Sequence, residues 1–168
     1  PSGCGKTTLL RAVAGLERLA DGRITMAGET LSDAASGLHV APEGRRVGMV
    51  FQDYALFPHM SVGDNIGYGL KIRNVPARER KQRVDEMLDL VRLPSHFANR
   101  YPHQLSGGEK QRVGIARAIA TEPQFIVCDE PVSALDVSVQ AAILNLLADL
   151  RDRLGVAYLF ISHDISVV

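Results

Sequence analysis

The chain has 168 residues, of which 46% are hydrophobic and 23% charged, and its formal net charge is zero. That length and balance suit one globular domain with a sizeable core, and the lack of a basic excess speaks against a nucleic-acid partner. No run approaches 18 apolar residues, which excludes a readable membrane span, and Cys4 and Cys128 have no CxxC spacing that would hold zinc.

The chain opens on Pro1-Ser2-Gly3-Cys4-Gly5-Lys6-Thr7-Thr8. Gly5, Lys6 and Thr7 fill the last places of the phosphate-loop template G-x-x-x-x-G-K-[ST], whose first glycine would fall just before Pro1. Successive backbone N–H groups in a tight turn make a concave anion site, and Gly3 and Gly5 supply the backbone freedom it needs. A helix beginning near Lys6 would aim its positive end at the phosphates. Lys6 would reach the β- and γ-phosphates, the Thr7 hydroxyl would ligate Mg²⁺, and Thr8 would be a lesser contact. The other reading of these residues is an ordinary glycine turn before a helix. The chain reads as N-terminally truncated, without the strand that should feed the loop.

Leu9, Leu10 and Val13 give the first helix an apolar face, and Gly15 ends it. Asp21-Gly22 marks a turn, and Arg23 to Met26 reads as a strand. Residues 28–46 carry Gly28, Gly37, Pro42 and Gly44 among polar residues, which predicts a surface excursion. Val47 to Phe51 is a buried strand, with Gln52 at its end. Ser61, with Asp64 three places on, caps a helix running to about Lys71. Pro76 opens another helix, in which Val84, Met87, Leu88 and Val91 share one face and Pro94 is the stop. Arg78, Arg80, Lys81 and Arg83 form its solvated face. Residues 53–120 therefore read as a helical subdomain inserted between residues 1–52 and 121–168.

Leu105-Ser106-Gly107-Gly108-Glu109 precedes a helix to about Ala120. Ser106 and Glu109 have capping-box spacing, so local rules favour a well-capped helix. Two glycines at a helix N-terminus also clear the backbone for an anion. Phe125-Ile126-Val127-Cys128 is an apolar strand that ends in Asp129-Glu130. In parallel sheets ligands bind beyond the carboxyl ends of strands, so Asp129 can serve a Mg²⁺ shell and Glu130 can polarise a water. An acidic strand exit without function is the plainer alternative. Asp136 caps a long helix to about Leu154, with Ile143, Leu144, Leu146, Leu147 and Leu150 as its buried stripe. Ala157 to Ile161 is the last strand, and His163 lies beyond it.

Taken together these motifs resemble the ATP-binding cassette family, the nucleotide-binding subunits of ABC transporters, in the family's own order and over essentially the whole chain. The Leu-Ser-Gly-Gly element is the specific one, and Glu109 is a departure where the family most often has glutamine. The resemblance implies an α/β fold: a P-loop NTPase with a mainly parallel sheet flanked by helices and an inserted helical subdomain. It implies ATP and Mg²⁺ bound by Ser2, Gly3, Cys4, Gly5, Lys6, Thr7 and Thr8. Gln52 would sense Mg²⁺ and the γ-phosphate where the subdomain meets the membrane partner. Asp129 would order Mg²⁺, Glu130 would be the general base, and His163 would contact the γ-phosphate. Ser106, Gly107 and Gly108 would act in trans on the second protomer's nucleotide, and Asp136 would couple the two protomers.

Residues 45–70 look like importers for ferric iron, polyamines, sulfate or sugars, whereas residues 128–168 look like dipeptide and oligopeptide importers. Both imply an ATPase subunit that powers solute import through a separate permease by ATP-driven dimer closure. The partners would be a second ATPase subunit, transmembrane permease subunits and a solute-binding protein, at the cytoplasmic face of the inner membrane. A second class is a soluble cassette ATPase of translation or DNA repair. Lys6 and Ser106 are 100 residues apart without heptads, too little for a chromosome-maintenance coiled coil. A third is a fragment without activity. Residues 1–168 alone are expected to hydrolyse ATP weakly and to be marginally stable, since no upstream aromatic is present to stack on adenine.

Overall fold

The computed structural model describes residues 5–162. The order of elements is α1 (Lys6–Ala14), β1 (Arg23–Met26), β2 (Glu29–Asp33), β3 (Leu38–His39), β4 (Val47–Val50), α2 (Val62–Ile72), α3 (Ala77–Leu90), α4 (Gly107–Ile119), β5 (Phe125–Asp129), α5 (Val137–Leu154) and β6 (Ala157–Ile161). Short 3₁₀ turns lie at Pro42–Gly44, Ser95–Asn99 and Pro102–Gln104.

Strands β4, β5 and β6 form a parallel sheet in that order, with Val50 opposite Cys128 and Asp129 opposite Ile161. Ile126, Val127 and Cys128 are fully buried, because a parallel strand covered on both faces reads as a continuous apolar run. Helix α4 lies so close to β4 that a Cβ on Gly48 would come within 2.7 Å of the Ala118 carbonyl oxygen. That glycine is what lets the helix backbone approach the strand.

The segment expected as a surface excursion is instead ordered. Residues 29–33 and 38–39 join β1 in a three-stranded antiparallel sheet, in the order β1-β2-β3. The reason is Arg45, which is fully buried. Its guanidinium donates to the carbonyls of Val40 (2.8 Å), Ala12 (2.8 Å), Val13 (2.8 Å) and Leu31 (3.3 Å), and to Ser32 Oγ (2.6 Å). A buried cation is tolerable only when its donors are satisfied, and here the carbonyl end of α1 supplies two of the acceptors. One side chain thus ties the small sheet to the back of α1.

The helical segments follow their caps. Ser61 Oγ accepts from the Asp64 N–H at 3.1 Å and starts α2. Buried Asn65 clamps the preceding loop, accepting from Phe57 N–H and donating to the Phe57, Met60 and Ser61 carbonyls. Helix α3 ends at Leu90, before the expected stop at Pro94, because Arg92 turns left-handed at φ 59°. Arg80 and Arg83 are not simply solvated: Arg80 donates to the Val75 carbonyl (2.7 Å) and Arg83 to that of Ala120 (3.2 Å). In α5, Ile143, Leu146, Leu147 and Leu150 are buried, with Leu144 packed at the margin of the core.

Candidate functional site

Gly5 caps α1 in the left-handed conformation at φ 84°, and no side chain caps that end. The first turn carries no acidic residue, so the positive dipole end of α1 lies beside exposed Lys6, Thr7 and Thr8. Ser2, Gly3 and Cys4 lie outside the described residues.

The end of β5 lies within electrostatic reach of this turn. Asp129 closes β5, and Glu130 follows it with its N–H donating to the Ile161 carbonyl of β6 at 3.0 Å. Burial raises the Asp129 carboxyl above its usual range, and the Glu130 charge beside it adds to the rise. Arg11 and Lys6 of α1 oppose it, which places the first helix's cations within electrostatic reach of this acid. Glu130 has φ 48°. A non-glycine residue held there is strained by about 1 kcal/mol or more, and such outliers concentrate at working sites. Ser133 supports the turn, donating from N–H (3.2 Å) and Oγ (3.0 Å) to the Glu130 carbonyl.

Gln52 stands two residues past Val50, as Glu130 stands two past Cys128, and those two residues are register partners. Gln52 and Glu130 therefore leave adjacent strands at one sheet edge. Gln52 is exposed in the turn closed by Tyr54 N–H donating to the Phe51 carbonyl (3.3 Å). His163 lies outside the described residues; Ser162, its neighbour, follows β6 at that same edge.

The Ser106 turn shows both predicted features of a capping box. Ser106 N–H donates to Glu109 Oε2 at 2.7 Å, and Glu109 N–H donates to Ser106 Oγ at 3.3 Å. The Ser106 N–H bond is the main cause that holds the Glu109 carboxyl below its usual range. The glycines have a packing reason as well. A Cβ on Gly107 would meet Tyr54 Oη at 3.1 Å and Leu135 Cδ2 at 3.2 Å, and one on Gly108 would meet Val139 Cγ1 at 2.7 Å. Their nearest neighbours thus belong to the Gln52 turn and the start of α5, rather than to the first turn of α1. Asp136 caps α5, accepting from Val139 N–H (3.0 Å) and Ser138 Oγ (2.7 Å), and these bonds lower its carboxyl's pKa.

Among the described residues no three His, Cys, Asp or Glu side chains converge to hold a metal. Thr7 and Asp129 remain as donors, which fits Mg²⁺, a cation held by one or two protein oxygens plus phosphates and waters. A groove of about 1030 Å³ lies apart from all of these, lined by residues including Met60, Tyr68, Lys81 and His96.

Two residues to which the sequence alone assigns no role tie α4 to these loops. Gln111 is fully buried and donates from Nε2 to the Pro131 carbonyl, beside Glu130. Arg117 donates to the carbonyls of Tyr54 and Ala55, beside Gln52. A long polar residue at an inward helical position was the available signal for Gln111; Arg117 had none, because its acceptors are 62 and 63 residues away.

Comparison with known proteins gives one family. The family model described as ABC transporter matches residues 1–133. The spermidine/putrescine import ATP-binding protein PotA of Pseudomonas fluorescens is 49% identical over 164 residues, which are 98% of this chain and 44% of that protein. The oligopeptide transport ATP-binding protein OppF of Bacillus subtilis is 47% identical over 171 residues, 99% of this chain and 56% of that one. The chain thus spans about half the length of these relatives. A solved dimer of an ATP-binding cassette in a post-hydrolysis state with ADP and Pi superposes with a TM-score of 0.81 and 34% identity, covering 99% of this chain and 73% of that one.

Proposed function

The chain belongs to the ABC transporter family, and from that premise we propose that it is the ATP-binding and ATP-hydrolysing part of a solute importer. The observation that carries this reading is the uncapped N-terminus of α1, with Lys6 facing the Asp129–Glu130 pair at the carboxyl edge of the parallel sheet. An anion site of backbone N–H groups stands there beside two acids that repel one another, which suits a phosphate chain carrying a cation.

In this reading Gly5, Lys6 and Thr8, with Ser2, Gly3 and Cys4 ahead of them, cradle the phosphates of ATP. Thr7 and Asp129 would hold Mg²⁺, with Gln52 near it, and the bound cation would supply neutralising charge for the phosphoryl group. Glu130 accepts the proton of the attacking water, while Gln52 and His163 orient that water and the γ-phosphate. The site is completed by Ser106, Gly107 and Gly108 of a second copy. ATP then favours the closed dimer by its differential affinity for that state, and hydrolysis releases it. The remaining partners in this proposal are membrane permease subunits and a solute-binding protein, with the chain at the cytoplasmic face of the membrane. No described helix is long and apolar enough to cross a membrane. The subdomain division at residues 53–120 and the importer role over other cassette ATPases belong to the same proposal; the polyamine and oligopeptide import names of the relatives support it.

The test is Glu130→Gln in the full chain. ATP binding is retained, turnover is lost, and ATP accumulates a dimer visible by light scattering. Hydrolysis at the parental rate would remove Glu130 as the base and the reading with it.

A further inference from the structure

We propose that Arg117 is a positioning residue for Gln52: planted on α4, its guanidinium fixes the turn from which Gln52 projects. This rests on the reading of Gln52 as a group that meets Mg²⁺ and the γ-phosphate.

The turn has an unusual backbone. Tyr54 and Ala55 are consecutive left-handed residues, at φ 64° and 46°, and neither is glycine. Left-handed backbone is unfavourable for residues that carry a side chain, so something outside the turn must hold them. The guanidinium of Arg117 does so, with Nη1 donating to the Ala55 carbonyl and Nη2 to the Tyr54 carbonyl at 3.1 Å. A planar fork with two donors suits two adjacent carbonyls, a geometry that an ammonium cannot copy. Two further contacts brace the same segment. The Phe57 ring lies 6.0 Å under the guanidinium carbon, and Phe57 N–H is held by buried Asn65 at 2.8 Å. Burial pushes the Arg117 pKa down while Asp53, next to Gln52, opposes it, so the cation also faces the turn from within.

Gln52 itself is exposed, and the Tyr54 N–H bond to Phe51 closes the turn around it. Tyr54 is therefore both the residue that closes the Gln52 turn and the residue that Arg117 grips. It also runs along α4: its carbonyl lies 3.6 Å from the Cβ position of Gly114, and its hydroxyl 3.1 Å from that of Gly107. Those two glycines are about 10 Å apart along a helix. The Ser106 turn and the Gln52 turn are thus fastened to one rigid rod, and a shift of α4 must carry Gln52 with it.

The experiment uses the full chain with Arg117→Met, Arg117→Lys, Gln52→Ala and the Gln52→Ala/Arg117→Met double variant. Hydrogen exchange of the Val50–Leu56 backbone is the first readout, and Mg²⁺-dependent turnover the second. Arg117→Met should raise exchange in that segment by about tenfold or more while leaving the interior of α4 protected. It should lower kcat about tenfold, leave ATP affinity within about twofold, and add nothing further in the Gln52→Ala background. Arg117→Lys, which keeps the charge and one hydrogen bond, should fall between parent and Met and serves if the Met variant does not fold. Unchanged exchange at 50–56 overturns the inference whatever the kinetics show. Multiplicative losses in the double variant would also overturn it, since Arg117 would then act elsewhere. Raised exchange with parental turnover for Gln52→Ala would keep Arg117 as the clasp of this turn and remove Gln52 from the chemistry instead.

Discussion

The guanidinium of Arg45 lies directly against Gly15, where an added Cβ would come within 2.6 Å of its Nε. Gly15 is also left-handed at φ 84° and donates its N–H to the Ala12 carbonyl, which Arg45 shares. Gly15→Ala therefore meets two penalties at once, a strained backbone and a displaced buried cation. We expect a loss of about 2–4 kcal/mol, read from the shift of a denaturant midpoint. Arg45→Met should cost at least as much, because it takes the Arg45 donor from the Val13 and Val40 carbonyls and a second donor from those of Ala12 and Leu31. A loss below about 0.5 kcal/mol for either would show that the clamp is not needed.

Gly108 separates two explanations of the signature turn. Its Cβ position lies 2.7 Å from Val139 Cγ1, on a β-branched side chain with little freedom to turn aside. Gly108→Ala should thus destabilise the chain, and adding Val139→Ala should restore stability. If the turn also contacts phosphate in trans, the double variant regains its melting temperature but not its ATP turnover. Recovery of both would reduce Gly108 to a packing residue.

Glu109 puts a carboxylate on the end of α4 that is proposed to meet an anion. Its folded pKa is depressed, chiefly by the Ser106 N–H bond. A depressed acid contributes stability above its unfolded pKa and loses it as pH falls through the folded value. Glu109→Gln keeps both bonds of the box but should flatten that acid-side loss. Removing the negative charge from the helix N-terminus should also tighten ATP-driven association, by about two- to fivefold at low salt. Unaltered association would mean that the dipole end does not face the nucleotide.

Asp129 has the opposite sign. Burial and the Glu130 charge raise its folded pKa, so the native state holds its proton more tightly. Its ionisation therefore costs stability as pH rises through the folded value, and the cost persists above it. Asp129→Asn should melt higher than the parent at neutral pH, and the gain should shrink in acid. The same variant should lose Mg²⁺-dependent turnover. A lower melting temperature at neutral pH would show that the acid is a structural partner rather than a strained one.

The two cysteines report on different events. Cys128 is fully buried in β5, and burial pushes its thiol up to about 12. It should be inert to thiol reagents until the sheet opens. Native labelling should then modify Cys4 alone, and ATP should slow it. Equal labelling with and without ATP would place Cys4 outside the nucleotide site; rapid native labelling of Cys128 would contradict the closed sheet.

The elements legible in the sequence are those whose signals are local. Ser61, Ser106 with Glu109, and Asp136 each cap a helix through a bond to a residue three places away. The apolar run Phe125–Cys128 became the central parallel strand, and its acidic exit came to the edge where α1 begins. Residues 29–39 were illegible because polar strands of a small sheet carry no apolar run. Their order depends on Arg45, whose acceptors on α1 are 32 and 33 residues away.

By itself, then, the sequence determined which helices would stand on caps, since those bonds depend on residue types within one turn, and it marked the loop for which phosphate chemistry is proposed. Tertiary structure alone decided why Gly107 and Gly108 must be glycine against Tyr54, Leu135 and Val139, and why Arg45 and Arg117 donate to backbone carbonyls far from them in the chain. Ser32 Oγ aside, their acceptors are backbone carbonyls, which every residue owns, so only the folded chain could say which ones they would meet.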